Sequence, residues 1–180
     1  MQISGATTRM NIHRQKKLNQ IAKLKDDICK HLSSNNEVNA KIWTETLIND
    51  EGQVPCYDIA VTMCDQIKGR LELISKHGAP PDMTQTFATI VHLAPKLNID
   101  ELMEVRKQLE SLLGKEFVQQ SDEDKKSINE WVAANIDFRK PMDGEIIFLM
   151  RQLAKERNIP YEPSHDMRQA LYAYCDFKGV

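Results

Sequence analysis

The chain has 180 residues, of which 41% are hydrophobic and 28% are charged, so it is long enough for one domain with a substantial core. Its 7 glycines and 7 prolines are too few for the turns of an all-β protein of this size, and helix is the expected class. The net charge of −2 excludes a general attraction of the whole chain to polyanions.

The charges are unevenly distributed along the chain. Before Asn36 there are seven basic and two acidic residues, a net charge of +5, and because the whole chain carries −2 the remainder carries −7. The chain is therefore a basic arm followed by an acidic body. The basic residues of the arm are Arg9, Arg14, Lys16, Lys17, Lys23, Lys25 and Lys30.

Neither the cysteines nor the apolar residues point to a disulfide framework or a membrane span. The four cysteines form no CxxC pair, which is typical of buried, reduced thiols in a cytosolic protein. No apolar run approaches the ~20 residues that a spanning helix needs. The start of the chain has no signal-peptide hydrophobic region. Any contact with a membrane is expected to be peripheral.

Two long helices are predicted to open the chain. Apolar residues recur at three- and four-residue steps over residues 7–33, with Thr7 or Thr8 as the cap and a frayed or projecting stretch before Lys17. The SSNN segment at 33–36 predicts a tight turn. A second helix is predicted over residues 37–76, and Gly52 and Pro55 are expected to kink or interrupt it near 50–56.

Five shorter helices are predicted to follow. The HGAPPD segment at 77–82 ends the second helix, and Pro95 is expected to close the third. The fourth carries Leu102, Val105, Leu109 and Leu112 at close to heptad spacing. The predicted ranges are 83–94, 99–117, 122–135, 142–158 and 166–177.

The expected fold class is all-α. No segment alternates with period two for long enough to form a strand, and no internal repeat indicates a solenoid. The pattern predicts a helical bundle built on a long antiparallel hairpin, with shorter helices packed along it. A single domain over residues 1–180 is expected, divided into the hairpin (7–76), the packed helices (82–158), and a strap with a short helix (159–180).

The sequence contains no motif for catalysis, nucleotide binding or metal binding. It has no GxxxxGK[ST] loop, GxGxxG turn or HExxH, and its five histidines are scattered. Ser164, His165 and Asp166 are adjacent in sequence, which is typical of a helix-capping segment, whereas a triad converges in space. The chain is predicted to be no enzyme and to need no cofactor or metal.

Two features are candidates for function. The basic arm could be a solvated face, bind anionic lipid headgroups, or contact an acidic face of another protomer; aromatics for nucleic-acid stacking are scarce beside it. After helix 142–158, two prolines bracket a Tyr-Glu pair and fix an extended strap, which is either structural or a partner-docking edge. The predicted partner-binding residues are Ile146, Leu149, Met150, Leu153, Tyr161 and Glu162.

Several segments in order carry a resemblance to a known family. The segment RQLAKERNIPYEPS, residues 151–164, resembles the EIAKxYxVPYEP ending of the increased-sodium-tolerance domain. Residues 40–74 are similar to that family's second helix. The segments IVHLAPKL at 90–97 and LGKEFV at 113–118 also have counterparts in it. The resemblance covers roughly residues 12–163, and its segments occur in the family's order.

The resemblance implies an ESCRT-III-like helical bundle on endosomal membranes. Members bind the tail of a CHMP1-like ESCRT-III subunit, co-assemble into homo- or hetero-polymers on anionic membranes, and regulate the AAA ATPase of vacuolar sorting. The basic arm would then make membrane or polymer contacts. Residues 166–180 match the family's ATPase-docking helices poorly, so direct docking is not expected from them. A helical protein–protein adaptor without membrane activity is the alternative.

Overall fold

The computed structural model describes residues 3–180, and within them it contains nine α-helices, two short 3₁₀ turns and no strand. The 3₁₀ turns are Pro81–Met83 and Lys125–Ser127. The all-α class predicted from the sequence is confirmed. The helices are α1 (Ile3–Ser33), α2 (Glu37–Gly69), α3 (Leu71–His77), α4 (Thr84–Leu97), α5 (Asp100–Leu113), α6 (Lys115–Glu123), α7 (Glu130–Asn135), α8 (Asp143–Glu156) and α9 (His165–Lys178).

The chain forms two compact units, each built from separate stretches of sequence. The first unit comprises the residues up to Lys16 and Gly52–Asp137, and the second comprises Lys17–Glu51 and Phe138–Val180. The assignment of one functional domain to residues 1–180 stays a prediction.

Each unit contains one antiparallel pairing of α1 with α2. In the first unit, Lys68 donates to the Ser4 hydroxyl over 2.9 Å, and Arg14 pairs with Asp58 at 2.8 Å. The later residue of α1 thus contacts the earlier residue of α2, which is the order expected of antiparallel helices. In the second unit, a three-residue turn joins the segments and Lys17 pairs with Asp50 at 3.4 Å. The predicted antiparallel arrangement of the two opening helices is confirmed.

Helix α1 starts earlier than the sequence suggested. It begins at Ile3, and the hydroxyls of Thr7 and Thr8 donate to carbonyls inside the helix, that of Thr7 to Ile3 at 3.1 Å. The predicted cap and the predicted fraying before Lys17 are therefore wrong. The physical reason is that Ile3, Ala6 and Met10 are buried on one face and anchor this stretch. This face was not identified from the sequence, because alanine is only weakly hydrophobic and does not mark a buried position clearly.

Helix α2 passes through Gly52 and Pro55 without interruption, so the predicted interruption at 50–56 is wrong, and the alternative of a kink there stays a prediction. Pro55 leaves the Glu51 carbonyl without its helical donor, but two hydrogen bonds between α2 and the α7 region hold the preceding turn of α2. The Trp131 indole donates to the Gly52 carbonyl at 3.0 Å, and Gln53 donates to the Ile136 carbonyl at 3.3 Å. The predicted helix 37–76 is instead divided: α2 ends at Gly69, and Arg70 separates it from α3.

Helix α4 continues past Pro95 to Leu97, so the prediction that Pro95 closes it is wrong. A proline at 95 cannot donate to the carbonyl of Val91. That carbonyl instead accepts from the Arg106 guanidinium at 2.7 Å, and Arg106 also holds Asp122 through two bonds of 2.8 Å. One arginine thus replaces the missing donor and ties α4, α5 and α6 together.

The predicted helices 99–117 and 122–135 are each divided. Gly114, with φ of 94°, separates α5 from α6, so Leu112 is exposed and the heptad pattern stops at Leu109. Downstream, α7 starts only at Glu130. Its cap is Asn129, whose side chain accepts from the Trp131 amide at 2.9 Å.

The second unit follows the prediction closely. Helices α8 and α9 begin and end within two residues of the predicted bounds, and the extended strap, residues 159–164, joins them. The two helices approach so closely at Gly144 that an added Cβ would overlap the Ala170 carbonyl and the Tyr174 side chain. The rings of Phe148 and Tyr174 meet with centroids 6.0 Å apart.

Three of the four cysteines are buried, as predicted from the sequence, and Cys175 is half-buried. All four cysteines are free; burial raises the pKa of both Cys56 and Cys64 to about 12, so these thiols stay protonated. Within residues 3–180, no helix combines the length and the apolar content that crossing a membrane requires.

Candidate functional site

A groove in the second unit lies between α8 and the strap. Its volume is about 390 Å³. Ala154 is buried at its base, while Ile159 and Tyr161 contribute half-buried apolar surface from the strap. The lining residues are Phe148, Arg151, Gln152, Ala154, Lys155, Ile159 and Tyr161. The groove is therefore apolar inside and polar along its α8 rim.

The rim of the groove is positively charged. Arg151 and Lys155 are four residues apart on α8, which places both side chains on one helix face. Both are exposed, and no acidic side chain among residues 3–180 forms an ion pair with either. Two uncompensated cations beside an apolar surface favour a partner that carries both apolar and acidic side chains.

A clamp between Tyr161 and Glu37 holds the strap in place. The phenol of Tyr161 donates to a carboxylate oxygen of Glu37 over 2.7 Å, and the backbone amide of Ser164 donates to the same oxygen over 3.1 Å. Glu37 opens α2, where the helix dipole favours an anion. The prediction that Tyr161 packs its ring and bonds its hydroxyl is confirmed.

The protonation states of the clamp suit these bonds. Burial alone would raise the pKa of Glu37, but hydrogen bonds from Tyr161 and Ser164 and the charge of Lys41 hold that pKa below its usual value. Burial, and then the hydrogen bond to Glu37 and its negative charge, raises the pKa of Tyr161. Near neutral pH the phenol is therefore the donor and the carboxylate the acceptor.

Loss of the clamp is expected to weaken the second unit. Tyr161→Phe should lower the free energy of unfolding by about 1.5–3 kcal/mol at pH 7, because a hydrogen bond to a charged acceptor is lost. Glu37→Gln keeps an acceptor and should cost less. Because the folded-state pKa of Glu37 is depressed, its contribution is present above the unfolded-state pKa and disappears as the pH falls through the folded-state value.

Urea unfolding of wild type and both variants at pH 7 and pH 3 measures this contribution. The gap between wild type and Tyr161→Phe should be largest at pH 7 and should narrow at pH 3. Equal stabilities at pH 7 would show that the clamp does not hold the strap.

Ion pairs fix both ends of α8. At its start Lys41 pairs with Asp143 at 2.8 Å, and just beyond its end Arg157 pairs with Asp26 at 2.6 Å. These contacts tie α8 to the α1 and α2 segments of the same unit. The groove wall is thus held in position before any partner arrives.

The predicted partner-binding residues are divided between core and surface. Ile146, Met150 and Leu153 are buried, so they support the groove from beneath, and Leu149 is half-buried. Tyr161 lines the groove, and Glu162 borders a neighbouring pocket with Leu32 and Asn35.

The groove side of α8 was not identified from the sequence. Phe148, Arg151 and Lys155 form a second face at steps of three and four residues, and that spacing is the signal that could have found it. The spacing alone does not distinguish the two cases, because a solvated helix face can also carry one apolar residue and two cations at these steps.

Most of the basic arm is neutralised within its own unit. In the first unit Arg9 pairs with Glu101 and Arg14 with Asp58; in the second, Lys17 pairs with Asp50 and Lys25 with Glu51. The three basic residues that are exposed and form no ion pair with any residue of the described chain are Lys16, Lys23 and Lys30. Of the seven residues predicted to make membrane or polymer contacts, these three therefore remain the candidates.

No arrangement for metal binding occurs in the described part of the chain, where no three His, Cys, Asp or Glu side chains come together. Ser164 occupies the position before the first residue of α9, as the sequence suggested, although its hydroxyl makes no capping bond.

Comparisons with known proteins agree on one family. The model of the Ist1 family, described as a regulator of Vps4 activity in the MVB pathway, matches residues 1–160. An IST1-like protein of Dictyostelium discoideum is 26% identical over 164 residues, which cover 89% of this chain. The chain spans only 44% of that relative's length.

A solved structure shows the same fold. The N-terminal domain of Ist1 from S. cerevisiae, in complex with the Did2 MIM motif, superposes with a TM-score of 0.80. The match covers 89% of this chain and 90% of that one at 16% identity, so it supports the fold alone. The ESCRT-III-like helical architecture implied by the sequence resemblance is confirmed.

Proposed function

The chain belongs to the Ist1 family of regulators of Vps4 activity in the MVB pathway, and from this premise we propose that it acts there by binding the tail of an ESCRT-III subunit in the groove. The observation that carries this proposal is the apolar groove with its cationic rim of Arg151 and Lys155. A solved relative is a complex with a short motif of another protein, the Did2 MIM motif. A CHMP1-like subunit with an acidic tail is the partner that fits the rim.

The dimensions of the groove fit a short helix. From Phe148 to Lys155 the groove follows two turns of α8, about 10 Å at 1.5 Å per residue. An amphipathic partner helix of similar length would bury apolar side chains against Phe148, Ile159 and Tyr161. Acidic residues one turn apart on that partner would then lie beside Arg151 and Lys155.

Binding of synthetic ESCRT-III tails to the chain tests the proposal. Titration calorimetry with an acidic CHMP1-like tail should show one-to-one binding that weakens with added salt, because both rim cations are exposed. A tail with its acidic residues changed to amides should bind much more weakly. Absence of binding by every acidic tail would refute the proposal. Tail binding without any response to vesicles or effect on the ATPase would favour the adaptor function.

Peripheral contact with an anionic endosomal membrane is the second part of the proposed function. Lys23 and Lys30 are seven residues apart and so share one face of α1, where both are exposed and unpaired within the described chain. Each basic residue near an anionic leaflet contributes about 1 kcal/mol of attraction. Such a face would allow this chain to meet ESCRT-III subunits where they assemble.

Charge reversal on this face is expected to release the chain from vesicles. Lys23→Glu combined with Lys30→Glu should weaken binding to phosphatidylserine vesicles more than tenfold and flatten its salt dependence. Lys107→Glu combined with Lys115→Glu makes the same change of net charge on exposed residues of α5 and α6 and is the control. Equal losses in both variants, measured by vesicle sedimentation, would indicate a net-charge effect and no specific face.

A further inference from the structure

A row of exposed apolar side chains lies on the first turns of α2, in the second unit. Val38 is 69% exposed, Ile42 53% and Trp43 43%. Between residues 37 and 47 the exposed positions are these three with Asn39 and Thr46, none of them charged, and the charged residues of the stretch, Glu37, Lys41 and Glu45, are half-buried. Burial in the fold does not account for this row, because the buried face of the same segment consists of Ala40, Thr44 and Leu47.

The indole of Trp43 is free to bond outside the chain. Its N–H donates to no acceptor within residues 3–180, whereas the indole of Trp131 donates to the Gly52 carbonyl at 3.0 Å. A half-exposed tryptophan combines an apolar ring with a polar N–H, which suits the boundary between lipid headgroups and acyl chains.

The surroundings of the row favour a lipid surface over a second protein copy. The exposed and unpaired Lys30 lies in the last turn of α1, directly before the turn that leads into α2. The three side chains expose roughly 300 Å² together, far below the ~800 Å² per partner of a stable interface. A small apolar row close to a cation is instead typical of interfacial membrane binding.

We propose that Val38, Ile42 and Trp43 form an apolar wedge that inserts into the interface of an anionic bilayer. The wedge rests on the membrane contact proposed above and adds a hydrophobic contribution to it. Lys23 and Lys30 attract the surface at long range, and the wedge holds the chain there after contact. Binding therefore retains a component that salt does not remove.

Tryptophan fluorescence provides the test. Trp131→Phe leaves Trp43 as the single tryptophan of the chain, because the sequence has two. With vesicles of 30% phosphatidylserine, the emission of Trp43 should shift to the blue and be quenched by brominated acyl chains. Val38→Ser combined with Ile42→Ser should weaken vesicle binding roughly tenfold. The control Leu73→Ser, which alters an exposed leucine of the first unit, should leave binding unchanged.

The outcomes separate the wedge from the basic face. Vesicle binding without quenching of Trp43 would overturn the wedge and leave the electrostatic contact intact. No vesicle binding at all would overturn both. A blue shift that depends on protein concentration and needs no vesicles would assign the row to a second copy of the chain and so overturn the wedge.

Discussion

Reversing both cations on the groove rim, Arg151→Glu with Lys155→Glu, is expected to weaken binding of an acidic ESCRT-III tail on the order of 100-fold. The reason is that two attractions become two repulsions beside an apolar surface that the partner must still approach. Neither side chain forms an ion pair within the described chain, so the fold should be unaffected. Titration calorimetry at low and physiological salt measures the loss.

A matched variant separates the rim from the overall charge. Lys140→Glu with Lys178→Glu makes the same change of net charge on exposed residues of the second unit outside the groove lining. It should reduce tail binding only slightly. Equal weakening by both variants would mean that the net charge of the unit determines tail binding, and it would contradict binding in the groove.

The second large effect is expected from Gly144→Val. The new side chain would overlap the backbone carbonyl of Ala170 and the Tyr174 side chain, and a backbone obstacle in a packed helix cannot rotate away. Overpacking of this kind should destabilise the second unit by about 3 kcal/mol. A fall in the urea midpoint, together with earlier proteolysis of α9, is the expected observation.

Gly69→Ala is the control for that change. Gly69 is also helical, but no atom lies within 4 Å of an added Cβ, so alanine there should be neutral or stabilising by roughly 0.5–1 kcal/mol. If Gly144→Val proved as stable as wild type, α9 would not pack against α8 in the observed way.

Gly144→Val should also affect the groove, through Phe148. The Phe148 ring lines the groove and rests against Tyr174 of α9. Displacing α9 removes that support, so tail binding should fall along with stability. The rim reversal should lower binding at unchanged stability, and this difference distinguishes a positioning effect from a direct contact.

Local patterns predicted the helices well where packing agreed with them. The apolar steps of α8 and the prolines of the strap predicted that region to within two residues. Prolines were misleading at 55 and 95, because tertiary contacts hold both helices there. The Val91 carbonyl, which Pro95 leaves without a donor, accepts from Arg106, and Trp131 bonds the Gly52 carbonyl in the turn before Pro55. A sequence pattern identifies the missing donor but not its replacement.

The site was predictable only in part for a related reason. Periodicity identified Ile146, Met150 and Leu153 as one apolar face, but a buried face and a docking face have the same period, and these three proved to be core. Tyr161 was identified from the prolines around it. Its partner Glu37 lies 124 residues away, and nothing local in the sequence pairs the two.

Photo-crosslinking from the groove tests the central claim most directly. Phe148 replaced by a benzophenone amino acid should crosslink to an acidic ESCRT-III tail, and the adduct should map to the apolar face of that tail. Excess unlabelled tail should suppress the adduct. A tail that binds the chain but crosslinks from position 43 on α2 and never from position 148 would contradict the account, because its binding surface would lie elsewhere.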